Sequence, residues 1–287
     1  MSLPTVTNQN YFDPEIEMAY MGSSQVKSFI KCEAAALASI KGEYRQPKTT
    51  ALLVGSYVDS YFEGSLDTFK EANPEIFKRD GSLKSEYQHA ETIIHRMESD
   101  RLYSLLMSGK KQVVRTGEIA GVPFKIKIDS LLDAAAVNRI VKEFPETADV
   151  FSFADGAIVD QKVMKDLKYA YNENERQYEP FWSAWGYDIQ GAIYQAVEGQ
   201  TDGLKPFILA VGTKEDEPDL RAIQIPSDRL NEKLTEIEDI VPRFQAIKEG
   251  REKPVRCERC AYCRATRVLA KIVDAVEAWP PYGIRED

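Results

Sequence analysis

The sequence predicts an α/β fold, a mixed central sheet flanked by helices. Three observations carry this expectation. The 287 residues are 43% hydrophobic and 29% charged, the balance of a globular protein with a proper core. No run approaches the roughly 18–20 apolar residues of a membrane span. The hydrophobic period changes along the chain, in the order helices, strand meander, helix, strands, helices. Collagen, coiled coil, disorder and an integral membrane protein are argued against together.

Residues 1–22 read as a loosely ordered lead-in, and 23–278 as one domain. Its sheet core spans 110–225, and helical segments span 23–108 and 227–278. Ser24 caps a helix over 25–40, with Val26, Phe29, Ile30, Leu37 and Ala38 on one face and Gly42 past its end. Cys32 falls on this helix. A second helix fits 50–63 and contains Gly55 and Asp59. Residues 84–108 read as one long helix with Ile93, Ile94, Met97, Leu102, Leu105 and Leu106 as its apolar stripe.

Alternation then takes over. Residues 113–119 and 124–129 form strands around a turn at Gly121-Val122-Pro123, and Asp129 ends the second. Residues 139–142 read as a short strand, and 157–163 as a further one. The long gap from Asp129 to Asp160 predicts an excursion or extra strand pair over 133–156. A helix rich in aromatics covers 180–199. Strands fit 207–211 and 221–225, and helices fit 227–249 and 264–278. Tyr169, Tyr171, Tyr178, Phe181, Trp182, Trp185 and Tyr187 read mainly as packing aromatics, with a base-stacking platform as the alternative.

The net charge of −9 argues weakly against nucleic acid as a partner, since phosphates repel a uniformly acidic surface. The charge is uneven, however. Residues 241–272 hold nine Lys/Arg against three Glu, which suits local binding of a polyanion or a solvated helix face equally well. Met1–Thr5 lacks the basic and apolar regions of a signal peptide, so a cytoplasmic location and reduced thiols are expected.

Asp160 and Lys162 lie two apart on one strand and point to the same face. Two carboxylates, Asp129 and Asp160, meeting at neighbouring strand ends suit a hard divalent cation, Mg²⁺ or Mn²⁺. A lysine beside them can orient water or steady phosphate charge, the equipment of metal-assisted phosphodiester hydrolysis. Asp-x-Lys occurs twice, at 160–162 and 166–168, and only the first follows an apolar strand. Alone, such a pair is also an ordinary surface strand end. Gln190 and Tyr194, four apart, share a helix face on which both could donate to a phosphate.

Gly55-x-x-x-Asp59, Asp129, Asp160-Gln161-Lys162 and Gln190-x-x-x-Tyr194, in this order, resemble the RecB-like branch of the PD-(D/E)xK nuclease superfamily. The resemblance covers roughly residues 24–270 and implies a restriction-endonuclease-like core. It implies that Asp129, Asp160 and the Gln161 carbonyl hold the metal, that Lys162 helps activate water, and that Gln190 and Tyr194 position the substrate. Asp59 replaces the family's metal-binding His. The two histidines, His89 and His95, fall on a separate helix and read as surface residues.

Cys32 upstream and Cys257-x-x-Cys260-x-x-Cys263 downstream are similar to the four-cysteine set of AddB-type helicase-nucleases. That likeness implies a 4Fe–4S cluster stapling the chain ends within a helical lobe. The ligand set itself also suits Zn²⁺, or thiols with no metal. The whole pattern looks most like phage-type RecE-like exonucleases. It implies a Mg²⁺-dependent DNA exonuclease acting on linear ends in phage or bacterial recombination or repair, as a possible homo-oligomer with a possible recombination partner protein. The alternative is a catalytically impaired DNA-binding protein on the same fold.

Overall fold

The computed structural model describes residues 3–45, 48–172, 176–272 and 274–278. Seven helices come first: α1 (Pro14–Ala19), α2 (Ser23–Lys31), α3 (Glu33–Ile40), α4 (Thr50–Glu63), α5 (Leu66–Ala72), α6 (Ser85–Ser99) and α7 (Arg101–Leu106). The sheet region holds β1 (Lys110–Ile119), β2 (Val122–Asp133), α8 (Ala134–Glu143), β3 (Gly156–Met164) and a small hairpin, β4 (Ala170–Asn172) and β5 (Gln177–Glu179). It continues with α9 (Phe181–Ala184), α10 (Tyr187–Asp202), β6 (Phe207–Thr213) and β7 (Leu220–Ile225). Helices α11 (Ser227–Lys248), α12 (Ala261–Ala265) and α13 (Ala275–Ala278) follow. No described helix is long and apolar enough to cross a membrane.

The five-stranded sheet has the order β1-β2-β3-β6-β7. Only β3 and β6 are parallel. Alternate residues of each strand feed two cores, because successive side chains point to opposite faces. Ile158, Phe207, Leu209 and Val211 pack toward α2, α10 and α11. Val159, Ile208 and Ala210 pack toward α4, α6, α7 and α8. The sheet is thus covered on both sides, as the α/β expectation requires.

A fork in the sheet makes the site. Strands β2 and β3 pair only from Ser130↔Val159 to Asp133↔Gly156. Beyond that they part, and the next positions on the two strands are Asp129 and Asp160. Farther along the freed edge of β2, Met21 bridges to Phe124. Between the fork and this bridge, the β2 edge faces an open cleft. Strand β2 also changes face here. Alternation through Phe124, Ile126 and Ile128 feeds one core, whereas Leu132 feeds the other. The β1–β2 pairing skips Gln112 and Asp129, and Gln112 has φ 51. That left-handed backbone is costly for a residue with a Cβ, and it turns Asp129 toward the cleft.

Several expectations are corrected. The 25–40 helix is two helices, because Cys32 is extended (φ −168, ψ 108) between α2 and α3. The 84–108 helix breaks at Asp100, whose carboxylate caps α7 by accepting from Tyr103 N at 2.9 Å. Asp129 does not end its strand, which runs on to Asp133. Residues 139–142 are helical: Asp133 caps α8, and Val137 and Ile140 bury one face. The 133–156 excursion is therefore α8 and a 3₁₀ turn over Pro145–Phe151, with no extra strand pair. Gly186, at φ 64, divides 180–199 into α9 and α10. The 264–278 helix is replaced by the short α12 and α13, with residue 273 and residues 279–287 outside the described ones. Residues 3–22, expected to be loose, pack instead: α1 forms, and Tyr11, Ile16, Tyr20 and Met21 are buried. Their apolar spacing is too short to register as a periodic pattern, and tertiary burial holds them.

Candidate active site and thiol centre

The cleft at the fork has a volume of about 240 Å³ and is lined by Asp59, Asp129, Asp160, Gln161, Lys162 and Gln190 among others. They come from several pieces of the fold. Asp59 projects from α4, which Thr49 caps by accepting from Leu52 N at 3.2 Å. Strands β2 and β3 supply the fork residues, and α10 supplies Gln190 and Tyr194.

Gln161 organises the carboxylates. Its backbone N donates to Asp129 Oδ2 at 2.9 Å, and its side-chain Nε2 donates to Asp59 Oδ1 at 3.1 Å. Its Oε1 accepts from the Tyr103 hydroxyl at 3.1 Å. Asp160 is 1% exposed. Its Oδ1 accepts from Gln190 Nε2 at 2.7 Å, and its Oδ2 forms an ion pair with Lys162 Nζ but has no well-aligned hydrogen-bond donor. Lys162 Nζ also donates to the Gln161 carbonyl at 3.0 Å. The Tyr194 hydroxyl donates to the Lys127 carbonyl at 3.0 Å, so it holds the free edge of β2 against α10.

Electrostatics follow from burial and crowding. Burial, then the charge of Asp129, pushes the Asp59 carboxyl up to about 7. Burial also pushes Asp160 up to about 6, against the pull of Lys162. For Lys162, burial opposes the charged form, but Asp160 and Asp129 outweigh it and hold the ammonium above its ordinary pKa. Among the described residues, the three carboxylates do not close within 4.8 Å of one another. They line the cleft rather than converge on one point.

Two residues at the cleft carry no site signal in the sequence, and a third, Tyr187, is marked there only as one of an aromatic stretch. Lys27, from α2, lines the cleft, and burial followed by the charge of Lys162 pushes it down to about 8. Gln112 reaches Asp129 Oδ1 at 3.4 Å. Tyr187 places its ring centroid 5.5 Å from Lys162 Nζ. Only the shape of the fork brings them in. The histidines stay outside the cleft, with His89 Nε2 against the Lys214 carbonyl at 3.2 Å.

The second centre is the cysteine set. Cys32, Cys257, Cys260 and Cys263 bring all four Sγ atoms within 4.8 Å of one another. Cys32 and Cys263 are 3.6 Å apart, and Cys257 and Cys263 are 4.0 Å apart. The backbone N of Cys260 donates to Cys257 Sγ at 3.3 Å, and that of Cys263 to Cys260 Sγ at 3.4 Å. Burial opposes ionisation of Cys257, yet the N–H groups of Arg259 and Cys260 bring its thiol down to about 6. Contacts among protein groups alone also tie the two chain ends. Glu33 accepts from Arg243 at 2.8 and 2.9 Å and from Val255 N at 2.6 Å, and Ala34 N donates to the Val255 carbonyl at 3.1 Å.

Five of the nine basic residues over 241–272 are already engaged or buried. Arg243, Arg251, Arg256 and Arg267 each pair with a glutamate, and Lys248 is buried. Tyr169, Tyr171, Tyr178 and Trp185 are exposed, contrary to the packing expectation, whereas Phe181 is buried.

A family model described as a PDDEXK-like domain of unknown function (DUF3799) matches residues 22–138 and 143–266. A crystal structure of a protein from Eubacterium rectale, provisionally named an exonuclease, is 40% identical. It superposes with a TM-score of 0.83 over 97% of this chain and 99% of that one. No curated protein sequence matches.

Proposed function

Because the chain belongs to the PDDEXK-like DUF3799 family, we propose that it is a divalent-metal-dependent DNA exonuclease. The observation that carries the reading is the fork: Asp129 and Asp160 follow the last β2–β3 pair, and Lys162 is paired with Asp160. The 40% identical E. rectale protein supports the exonuclease part.

Asp129, Asp160, Asp59 and the Gln161 carbonyl would hold Mg²⁺ or Mn²⁺ once their side chains draw in around the ion, since the three carboxylates do not all lie within 4.8 Å of one another without it. All are hard oxygen donors, and the buried Asp160 Oδ2, met only by the Lys162 ammonium, keeps a lone pair for a cation. When bound, such an ion activates water and polarises a phosphoryl oxygen. The protein's own groups do the rest. Lys162 keeps its proton, so it stabilises negative charge developing on the phosphate instead of acting as a base. Gln190 fixes the rotamer of Asp160, and Tyr194 fixes the β2 edge, so both are positioning residues. Asp59, bound to Gln161, would take the part of the family's His. Recombination or repair of phage or bacterial DNA is the setting this activity suits.

For the cysteines, the resemblance implies a 4Fe–4S cluster. A second reading is favoured by the Sγ separations of 3.6 and 4.0 Å. Thiolates around one tetrahedral ion with metal–sulfur bonds near 2.3 Å stand about 3.8 Å apart, which suits Zn²⁺. Anaerobic purification with metal analysis separates the two: iron with broad absorbance near 400 nm, roughly the region expected of such clusters, or stoichiometric zinc without colour.

The test of the nuclease reading is end-labelled linear DNA incubated with Mg²⁺ or Mn²⁺. Release of terminal nucleotides, with sealed circles resistant, is the expected result. DNA binding without cleavage under either metal would replace it with the impaired, DNA-binding alternative.

A further inference from the structure

Lys27 presents a problem of charge. It lines the same cleft as Asp129, Asp160 and Lys162, yet no carboxylate oxygen lies within 4.0 Å of its Nζ among the described residues. Its Nζ lies over the Tyr187 ring, 5.4 Å from the centroid, and Lys162 Nζ lies over the same ring at 5.5 Å. Lys162 has Asp160 as a partner, and Lys27 has only the ring. A cation–π contact offsets part of the cost of a half-buried ammonium, but not the repulsion of a second ammonium nearby.

The backbone makes room for this arrangement. Gly186 sits at φ 64, and a Cβ there would stand 2.8 Å from Lys27 Cδ and 3.4 Å from Cγ. Any other residue would push the lysine stem aside. Two independent features, a ring under the ammonium and a gap beside its stem, therefore hold an unpaired cation at the mouth of a carboxylate cleft. An anion that enters with the substrate completes such a set.

We propose that Lys27 binds a backbone phosphate of the nucleic acid strand, next to the bond that is cut. This rests on the nuclease reading above. Lys162 serves the reacting phosphate, and Lys27 serves its neighbour. The Tyr187 ring orients Lys27.

The experiment compares wild type with Lys27→Met and Lys27→Arg. Binding of a labelled oligonucleotide is measured with Ca²⁺ in place of Mg²⁺ at several salt concentrations, and KM and kcat are measured with Mg²⁺. Lys27→Met should flatten the slope of log K against log salt by about 0.7–0.9, the loss of one phosphate contact. It should raise KM about 10-fold and leave kcat within about 3-fold, since the contact is present in ground and transition states alike. Lys27→Arg should keep the wild-type slope. An unchanged slope in Lys27→Met, or a collapse of kcat at constant KM, would overturn the proposal. Should Lys27→Met fold poorly by thermal melting, Lys27→Gln carries the same slope test. Wild type that binds DNA but never cuts removes the nuclease reading and leaves the slope test standing. Wild type that does neither overturns both.

Discussion

In the cleft, Asp129 and Asp160 arrive on neighbouring strands of one sheet and Asp59 on a helix, whereas the thiols arrive from segments 225 positions apart. Asp129 and Asp160 face each other because the β2–β3 register places them one step beyond its last pair. The register is fixed by the buried cores on both sides of the sheet. Cys32 meets the triplet from the break between α2 and α3, where it is itself the extended residue. The cleft thus follows from the register of the sheet, whereas the thiol centre joins two distant ends of the chain. Removing cleft charges should damage chemistry and spare stability, and disturbing the thiols should do the reverse.

The largest expected effect tests the first half. Asp160→Asn should lower cleavage by about 10³-fold or more while DNA binding persists, as for loss of a group acting in the transition state. Parallel loss of binding and melting temperature would erase the distinction between the two regions.

Next comes Cys32→Ala. It should strip the bound metal and destabilise the protein by about 2–4 kcal/mol, because a metal closing so long a loop constrains the unfolded chain. Denaturant unfolding with metal analysis on the same samples reads this directly. Normal stability in a metal-free variant would make the thiol centre decorative. Glu33→Gln is the milder version. It weakens the Arg243 and Val255 contacts without touching a thiol and should cost about 1.5–3 kcal/mol, the range of hydrogen bonds to charged groups. Metal content should stay at wild-type level.

A pH series sharpens the cleft side. Burial raises the Asp59 carboxyl to about 7 and the Asp160 carboxyl to about 6. Both folded values exceed the unfolded ones, so each contributes stability at low pH that is lost as pH rises through the folded value. Metal binding needs the ionised forms and should therefore strengthen from about pH 6 to about pH 8, in the direction opposite to apo stability. In Asp59→Asn the upper part of both trends should flatten. A wild-type activity profile that falls over this range would remove Asp59 from the ligand set.

The smallest effect is at the kink. Gln112→Gly relieves a φ of 51 and should change stability by no more than about 1 kcal/mol. It also removes the contact to Asp129, so cleavage should fall modestly while the melting temperature holds or rises.

The same contrast explains what was legible in the sequence. Asp129, Asp160 and Lys162 could be read because alternation marks a strand and a charge interrupts it. The cysteine spacing needs no geometry at all. Chain breaks at Cys32, Asp100 and Gly186 were missed because apolar spacing continues across each of them, and only backbone angles and caps reveal the break. Residues 139–142 read as a strand because Ile140 and Val141 are β-formers in a short window; burial of Val137 and Ile140 on one face decides for helix. Lys27, Gln112 and Tyr187 depend on which strands separate and where. That is a property of three-dimensional packing, with no local periodic trace.

The placement of Cys32 has a consequence in time as well as in space. A ribosome adds about 5–20 residues per second, so Cys257 is made roughly 11–45 s after Cys32. The β2–β3 register can close within the nascent sheet. The triplet that Cys32 must join does not yet exist during that interval. The chain therefore passes through a stage in which the cleft is assembled and Cys32 waits as a solitary thiol. The four-thiol set is complete only once the triplet has been made, so any metal it takes would be loaded after the cleft residues are already in the chain.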